Sequence, residues 1–248
     1  MTTLPHCYAI IPARYQSQRF PGKPLVDILG KPMFQWVYER AASCSSLEKV
    51  WLATDNEQIY DAAHKRKIPV IMTNPDHLSG SDRILEAAEI LKLSKDSIIV
   101  NIQGDEPALD PKMVASLLAP FCRKEVGVTT LARNIDAEQA ANPDRVKVIC
   151  SSEGRALYFS RARIPHARDA SESYNDYLLH IGLYAYRLPI LRRFTSMPSS
   201  PLEQIEKLEQ LRLLEAGINV HVVLSDYQGF GVDHPDDVAL IAAQLKGL

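Results

Sequence analysis

Ala9-Ile10-Ile11-Pro12-Ala13-Arg14-Tyr15-Gln16-Ser17-Gln18-Arg19-Phe20-Pro21-Gly22-Lys23-Pro24-Leu25 is the stretch whose reading decides the fold. Its short apolar run reads as a buried strand that ends at Pro12, and a polar loop follows. The loop holds Arg14, Arg19 and Lys23 and no acid before Asp27. Three cations and free backbone amides then meet where a strand gives way to a loop, a place that attracts phosphate. The spacing is neither the G-x-x-x-x-G-K-[ST] of a Walker loop nor the G-x-G-x-x-G of a dinucleotide fingerprint. Pro12 at one end and Pro21-Gly22-Lys23-Pro24 at the other restrain the loop, which suits cations that must meet a ligand already positioned.

Outward from this stretch the chain alternates. A helix is expected from Pro32 with Met33, Trp36, Val37 and Ala41 on one stripe, a strand over 49–53, a helix to Arg66 and a strand over 69–72. Ser79-Gly80-Ser81-Asp82 caps a further helix whose stripe is Ile84, Leu85, Ala88 and Leu91. The almost wholly apolar run 97–102 reads as a central strand. A helix over 111–123 and a strand over 127–132 continue the pattern. This is the alternation of an α/β fold of Rossmann-like type, a mostly parallel sheet with helices on both faces.

From residue 146 the rhythm changes to closely spaced strand-like runs at 146–150, 155–159 and 182–186. These are expected to form a small mixed or antiparallel lobe, 146–200, inserted in one domain spanning 1–248. The polar loop 168–173 is expected to be mobile. A single long helix over 201–216, stopped by Gly217, a strand over 219–224 and a helix from Pro235 complete the chain.

Composition narrows the classes. The 248 residues, 46% hydrophobic and 23% charged, suffice for one large α/β domain. With 28 Lys plus Arg against 30 Asp plus Glu, the net charge of −2 argues against a general nucleic-acid binder, so any basic patch is local. Cysteines at 7, 44, 122 and 150 form no C-x-x-C pair, which fits reduced thiols in a cytoplasmic protein. Neither a signal peptide nor a run approaching the ~20 apolar residues that span a bilayer is seen, so no membrane insertion is expected.

In an open parallel sheet, ligands bind beyond the carboxyl ends of the strands. That rule selects the opening loop, Thr73 with the loop after it, Gln103-Gly104-Asp105 and Gly231-Val232-Asp233. Three cations with Asp105 and Asp233 suit a nucleoside triphosphate with Mg²⁺, which takes one or two protein carboxylates and completes its shell with phosphate oxygens. An acid beside glycine or proline also makes turns, and taken singly each aspartate is explained equally well that way. Their joint placement at strand ends favours the ligand. For Arg83, Glu203 and Glu206, spacing alone favours helix-surface roles, with pairs to Lys207 or Arg212 worth ~0.2–0.5 kcal/mol each. His180 is one of seven scattered histidines, and a lone one is more often a packed core residue than a functional one.

Several motifs together resemble one family. They are Ile11-Pro12-Ala13-Arg14, Arg19-Phe20-Pro21-Gly22-Lys23-Pro24-Leu25, Val100-Asn101-Ile102-Gln103-Gly104-Asp105-Glu106-Pro107, Ala156-Leu157-Tyr158-Phe159-Ser160-Arg161 and Gly231-Val232-Asp233, with Ser200-Pro201-Leu202-Glu203-Gln204-Ile205-Glu206 between the last two. In this order, over essentially the whole chain, they resemble the 3-deoxy-manno-octulosonate (Kdo) cytidylyltransferases, or CMP-Kdo synthetases. The resemblance implies transfer of CMP from CTP to Kdo for lipopolysaccharide biosynthesis, in a cytoplasmic homodimer. It implies that Arg14, Arg19 and Lys23 bind the triphosphate. Pro12, Ala13, Thr73, Ser79, Gly80 and Arg83 would hold the cytidine, and Asp105 and Asp233 would coordinate Mg²⁺. Gln103, Arg161, His180, Tyr184, Glu203 and Glu206 would line the sugar acid. The loop 166–174 is shorter than in some relatives, which leaves 8-amino-Kdo as an alternative acceptor; a nucleotidyltransferase using another base or another acid sugar, of neuraminate type, is the nearer rival. A CTP-binding module without turnover is the rival of another class.

Overall fold

The computed structural model describes residues 4–16, 20–168, 176–227, 231–232 and 234–247. It divides into two compact units, one of Pro5–Ala115 with the C-terminal segment after Tyr227, the other centred on Ser116–Tyr227. The lobe expected over 146–200 lies inside the second. The loop expected to be mobile falls largely on 169–175, outside the described residues.

In the first unit, β1 (Cys7–Ala13), the short strands β2 (Asp27–Ile28) and β3 (Lys31–Pro32), α1 (Met33–Ala42), β4 (Lys49–Thr54), α2 (Glu57–Lys65), β5 (Val70–Met72), α3 (Gly80–Ile90) and β6 (Ile98–Asn101) follow in chain order. Four strands form a parallel sheet in the order β6, β1, β4, β5, with Ala9 opposite both Val50 and Val100. Ala9, Ile10 and Ile11 have no exposed surface, nor do Ile98, Ile99 and Val100. Continuous apolar runs of this kind form strands covered on both faces. Helix α1 turns Met33, Phe34, Val37 and Ala41 inward; Trp36, expected on that stripe, is half-buried and donates Nε1–H to the Ile28 carbonyl at 2.7 Å.

Helix α3 begins where the cap is expected. Ser79 Oγ accepts from the Asp82 backbone N–H and Asp82 reaches back to the Ser79 N–H, a reciprocal capping box. Its buried face departs from the expected stripe: Ser81, Arg83, Ile84, Ala87 and Ala88 are buried, whereas Leu85 and Leu91 are half-buried. A guanidinium thus occupies a position that apolar spacing assigned to leucine.

Helix α4 (Pro111–Leu118) and a 3₁₀ turn (Ala119–Cys122) carry the chain into the second unit. There follow β7 (Val128–Ile135), α5 (Ala137–Ala141), β8 (Lys147–Cys150), β9 (Ala156–Ser160), β10 (Tyr177–Arg187), α6 (Leu188–Ser196), α7 (Pro201–Glu206), α8 (Leu211–Glu215) and β11 (Val220–Leu224). β11 runs parallel to β7, whereas β10 pairs with β7, β8 with β10 and β9 with β8 antiparallel. The expected change from parallel to mixed pairing is therefore present.

The long helix expected over 201–216 is instead two short ones. Lys207 adopts φ 55° and ψ 45°, which ends α7, and Leu208 and Leu211 bury themselves beyond the break. Gly217, at φ +69°, stops α8 as expected. Helix α9 (Asp237–Leu245) returns to the first unit, where Ile241 and Leu245 pack with Ile28, Met33, Ala108 and Val232. That cluster draws the C-terminal motif onto the turn after β6.

Candidate active site

Within the first unit, the carboxyl ends of β1 and β6 open into a cleft of about 270 Å³. Pro12, Ala13, Arg14, Gln16, Lys23, Pro24, Gly80, Gln103, Gly104 and Asp105 line it. Local structure sets each cation. The loop closes on itself through Gly22 N–H to the Tyr15 carbonyl at 2.9 Å, with Gly22 at φ +71°, a conformation that favours glycine. A 3₁₀ turn then presents Lys23, whose Nζ donates to Asp105 Oδ2 at 2.7 Å and to the Val232 carbonyl at 2.8 Å. Arg14 donates Nη1–H to the Leu78 carbonyl at 3.0 Å. Its Nη2 is buried and has no hydrogen-bond partner among the described residues.

The opposite wall depends on Gly104. A Cβ there would stand 2.7 Å from the Pro12 carbonyl oxygen, so only glycine lets the two strand ends approach so closely. The same turn receives the C-terminal motif: the Val232 N–H donates to the Asp105 carbonyl at 2.8 Å, and Val232 is fully buried. Beside it, Glu106 is pushed up to about 7, by burial first and by the Asp105 charge second. Asp233 and Arg19 lie outside the described residues.

Thr73, Ser79 and Arg83 do not line the cleft but brace it. Arg83 has no exposed surface; its Nη1 donates to Thr73 Oγ1 at 2.6 Å and its Nη2 to Asp55 Oδ2 at 2.5 Å. Thr73 Oγ1 passes a hydrogen bond on to the Thr54 carbonyl at 3.1 Å. The clamp joins the ends of β4 and β5 to the first turn of α3, whose Gly80 faces Pro12. Asp55 was missed in the sequence because an aspartate after a strand reads as turn chemistry. Gln16, Pro24 and Gly104 were also passed over as ligand contacts, although they stand inside the motifs that pointed to the cleft.

The remaining candidates sit in the second unit, in two groups. On β10, Gly182 and Leu183 have no counterpart on β7, and the bulge brings His180 and Tyr184 around Thr130. His180 Nε2 lies 3.0 Å from Thr130 Oγ1, and its ring meets Phe159 edge-on at 5.0 Å and Tyr184 at 5.4 Å. Burial pushes the imidazole down to about 3, so it is neutral, and raises the Tyr184 phenol.

The second group surrounds Arg161. Glu206 accepts from Ser160 Oγ at 2.6 Å and from the Arg161 backbone N–H at 2.9 Å. The Arg161 guanidinium donates to the carbonyls of Glu206 (Nε, 2.8 Å) and Pro143 (Nη1, 3.3 Å). Among the described residues no carboxylate pairs with it. Glu203 is committed elsewhere: Arg212 grips its carboxylate with two bonds of 2.6 and 2.8 Å, and the same carboxylate accepts from the Ser200 N–H. Glu203 thus pairs across the break at Lys207 and not at helical spacing.

Such a cleft, cationic on one side with a carboxylate at its mouth, defines a nucleotide-handling α/β protein. Residues 8–220 match the cytidylyltransferase family model, and the chain belongs to that family. It is 54% identical, over 97% of its own length and 96% of the relative's, to the 3-deoxy-manno-octulosonate cytidylyltransferase of Nitratidesulfovibrio vulgaris strain DP4. It is 50% identical to the enzyme of that name from Lawsonia intracellularis, over 97% and 94% of the two chains. Among solved structures, CMP:2-keto-3-deoxy-manno-octonic acid synthetase complexed with CTP is similar at 43% identity and TM-score 0.92, covering 98% and 99% of the chains. A cytidylyltransferase from Leptospira borgpetersenii serovar Hardjo-bovis, at 17% identity and TM-score 0.65 over 98% and 87%, shares the fold. The family resemblance expected from the motifs is therefore met. No helix among the described residues is long and apolar enough to cross a membrane.

Proposed function

We propose that this chain transfers CMP from CTP to the anomeric hydroxyl of Kdo, releasing pyrophosphate, in the cytoplasm and for lipopolysaccharide biosynthesis. The observation that carries the reading is the meeting of Arg14, Lys23 and Asp105 in one cleft, in a chain about half identical to enzymes of that name. In the proposed reaction the hydroxyl oxygen attacks the α-phosphorus in line. The bond to the bridging oxygen breaks, its electron pair leaves with pyrophosphate, and the hydroxyl proton passes to solvent. Positioning and charge stabilisation supply the acceleration. Lys23, held by Asp105 and the Val232 carbonyl, offsets charge that grows on the phosphates. The buried Nη2 of Arg14 is a donor awaiting an acceptor, as a phosphate oxygen provides.

The described residues contain no group of three or more His, Cys, Asp or Glu side chains able to hold a metal. A single hard carboxylate at the cleft is nonetheless what Mg²⁺ needs when a triphosphate completes its shell. Asp105, with Asp233, would hold it. When bound, the ion supplies Lewis-acid neutralisation of the phosphate oxygens.

For the acceptor, Arg161 is the residue whose state fits. Its guanidinium is steadied by carbonyls and has no acid partner among the described residues, so a sugar carboxylate would be its natural partner. Neutral His180 and Tyr184 would face sugar hydroxyls. Glu206 would act by holding Arg161, and Glu203 by holding α7. We also read the chain as a homodimer, as the resemblance in its motifs implies.

Incubation with CTP, MgCl₂ and Kdo, 8-amino-Kdo or N-acetylneuraminate in turn tests the reading. CMP-Kdo by mass spectrometry, with matching pyrophosphate release, is the expected result. CTP binding without product from any acid would leave a nucleotide-binding module, and preferential use of another acid would overturn the choice of acceptor.

A further inference from the structure

Lys147, in β8, has no exposed surface. Lysine is almost never fully buried without an ionic partner, yet among the described residues no carboxylate lies within ion-pair distance of this one. Its Nζ donates to two backbone carbonyls, that of Asn142 at 3.0 Å and that of Arg161 at 2.6 Å. Burial works against its charge, the more distant Glu206 carboxylate works for it, and the Arg161 charge works against it, so that its pKa is lowered. A buried cation satisfied only by carbonyls is a poor device for stability alone.

Its two acceptors explain the expense. Arg161 is held from two sides, by Glu206 through its backbone N–H and Nε, and by the Pro143 carbonyl through Nη1. Lys147 binds the carbonyl next to Pro143 and the carbonyl of Arg161 itself, so one ammonium ties together the segment that presents the guanidinium and the segment that steadies it. β8 delivers the lysine there because Lys147 stands opposite Ser160 in the β8–β9 ladder, and Ser160 Oγ binds Glu206. Charges in the group sum to one positive: two cations, Lys147 and Arg161, against Glu206. A monoanionic acid neutralises that excess.

We propose that Lys147 is a positioning residue for recognition of the acceptor's carboxylate, acting through Arg161. The proposal rests on the reading that Arg161 binds the acid sugar. It goes beyond it by assigning specificity to a residue that touches no substrate.

The test is steady-state kinetics of Lys147→Met, a side chain of similar length without charge or donor. KM for Kdo should rise about ten- to a hundredfold, the worth of one charge-assisted contact, while KM for CTP stays within about twofold. The wild type should prefer Kdo strongly over its carboxamide, and the variant should lose most of that preference, which a merely loosened fold would not do. An unchanged KM for Kdo, or a rise shared equally by CTP and the carboxamide, would overturn the proposal. Should Lys147→Met not fold, Ser160→Ala decides: it removes one bond to Glu206 and should raise KM for Kdo selectively, and no selective rise would count against the network. Wild-type enzyme that turns over no Kdo would instead sink the assigned reaction, a distinct outcome.

Discussion

Substituting Asp55 by asparagine should show how much of the nucleotide cleft hangs on a residue that does not line it. Arg83 is wholly buried and the Asp55 side chain is 17% exposed. Removing one partner of a buried ion pair costs about 3–5 kcal/mol, because the other charge is left uncompensated. Here asparagine still offers Arg83 Nη2 an oxygen and Thr73 keeps Nη1, which places the loss near the lower end, about 3 kcal/mol. At roughly 2–4 °C per kcal/mol for a chain of this size, the melting temperature should fall by about 6–12 °C. Differential scanning calorimetry measures the shift, and a urea titration measures the free energy. The double variant Asp55→Asn with Arg83→Met removes both charges and should regain most of the loss, since an apolar replacement of a buried pair is often neutral. CTP affinity, read by calorimetric titration, should stay weakened in the double variant because α3 is no longer clamped to β4 and β5. A fall of less than about 2 °C in the single variant, or a double variant no better than the single, would refute the clamp.

Lys23→Met should keep the fold and lower turnover by about 10²–10³, the worth of one preorganised electrostatic donor, in a pyrophosphate-release assay; near-normal turnover would remove Lys23 from the chemistry. Gly104→Ala forces a Cβ against the Pro12 carbonyl, so a stability loss of about 1–3 kcal/mol with weaker CTP binding is expected, and a variant normal in both would show that the close approach is dispensable. His180 gives a pH dependence whose sign is fixed: its folded pKa of about 3 lies below the ordinary 6.5. The unfolded chain therefore takes up a proton that the folded one refuses, and this contribution, complete above pH 6.5, is lost as pH falls toward 3, at up to about 1.4 kcal/mol per pH unit. His180→Gln should flatten the change in urea stability between pH 7.5 and pH 5; identical slopes in the two proteins would contradict a buried neutral imidazole.

Legibility differed between the units for a physical reason. In the first, strands such as 97–102 are continuous apolar runs, and covered parallel strands show that pattern whatever packs against them. Helix caps are equally local, and the Ser79 box could be read from four residues. The loop cations and Gln103-Gly104-Asp105 were placed together because they follow strand ends, where an open sheet puts ligands. The second unit was harder. A stripe of leucines over 201–216 continued at nearly helical spacing across Lys207, and only the backbone there, at φ 55°, shows that the helix stops. The break lets Arg212 turn back and grip Glu203, nine residues away, a pairing that i, i+4 reasoning does not consider.

The cations that matter most to the scaffolding were invisible for the same reason in both units. Charged residues are assigned to solvent when a pattern is read, so Arg83 was taken as covering its helix and Lys147 drew no notice between Val146 and Val148. Yet Lys147 and Val148, on opposite faces of β8, are both buried, which means that neither face of the strand is open to solvent at its first two residues. A charged side chain there has to find acceptors in the chain, and Lys147 finds the carbonyls of Asn142 and Arg161 just as Arg83 finds Thr73 and Asp55. Each buried cation ties together segments distant in sequence, β4, β5 and α3 in one unit and the 142 and 161 segments in the other. Each is in direct contact with a residue assigned to substrate, Thr73 in one case and Arg161 in the other. Local periodicity carries no information about such a tie, because what selects the residue is the pair of acceptors that the fold brings to it.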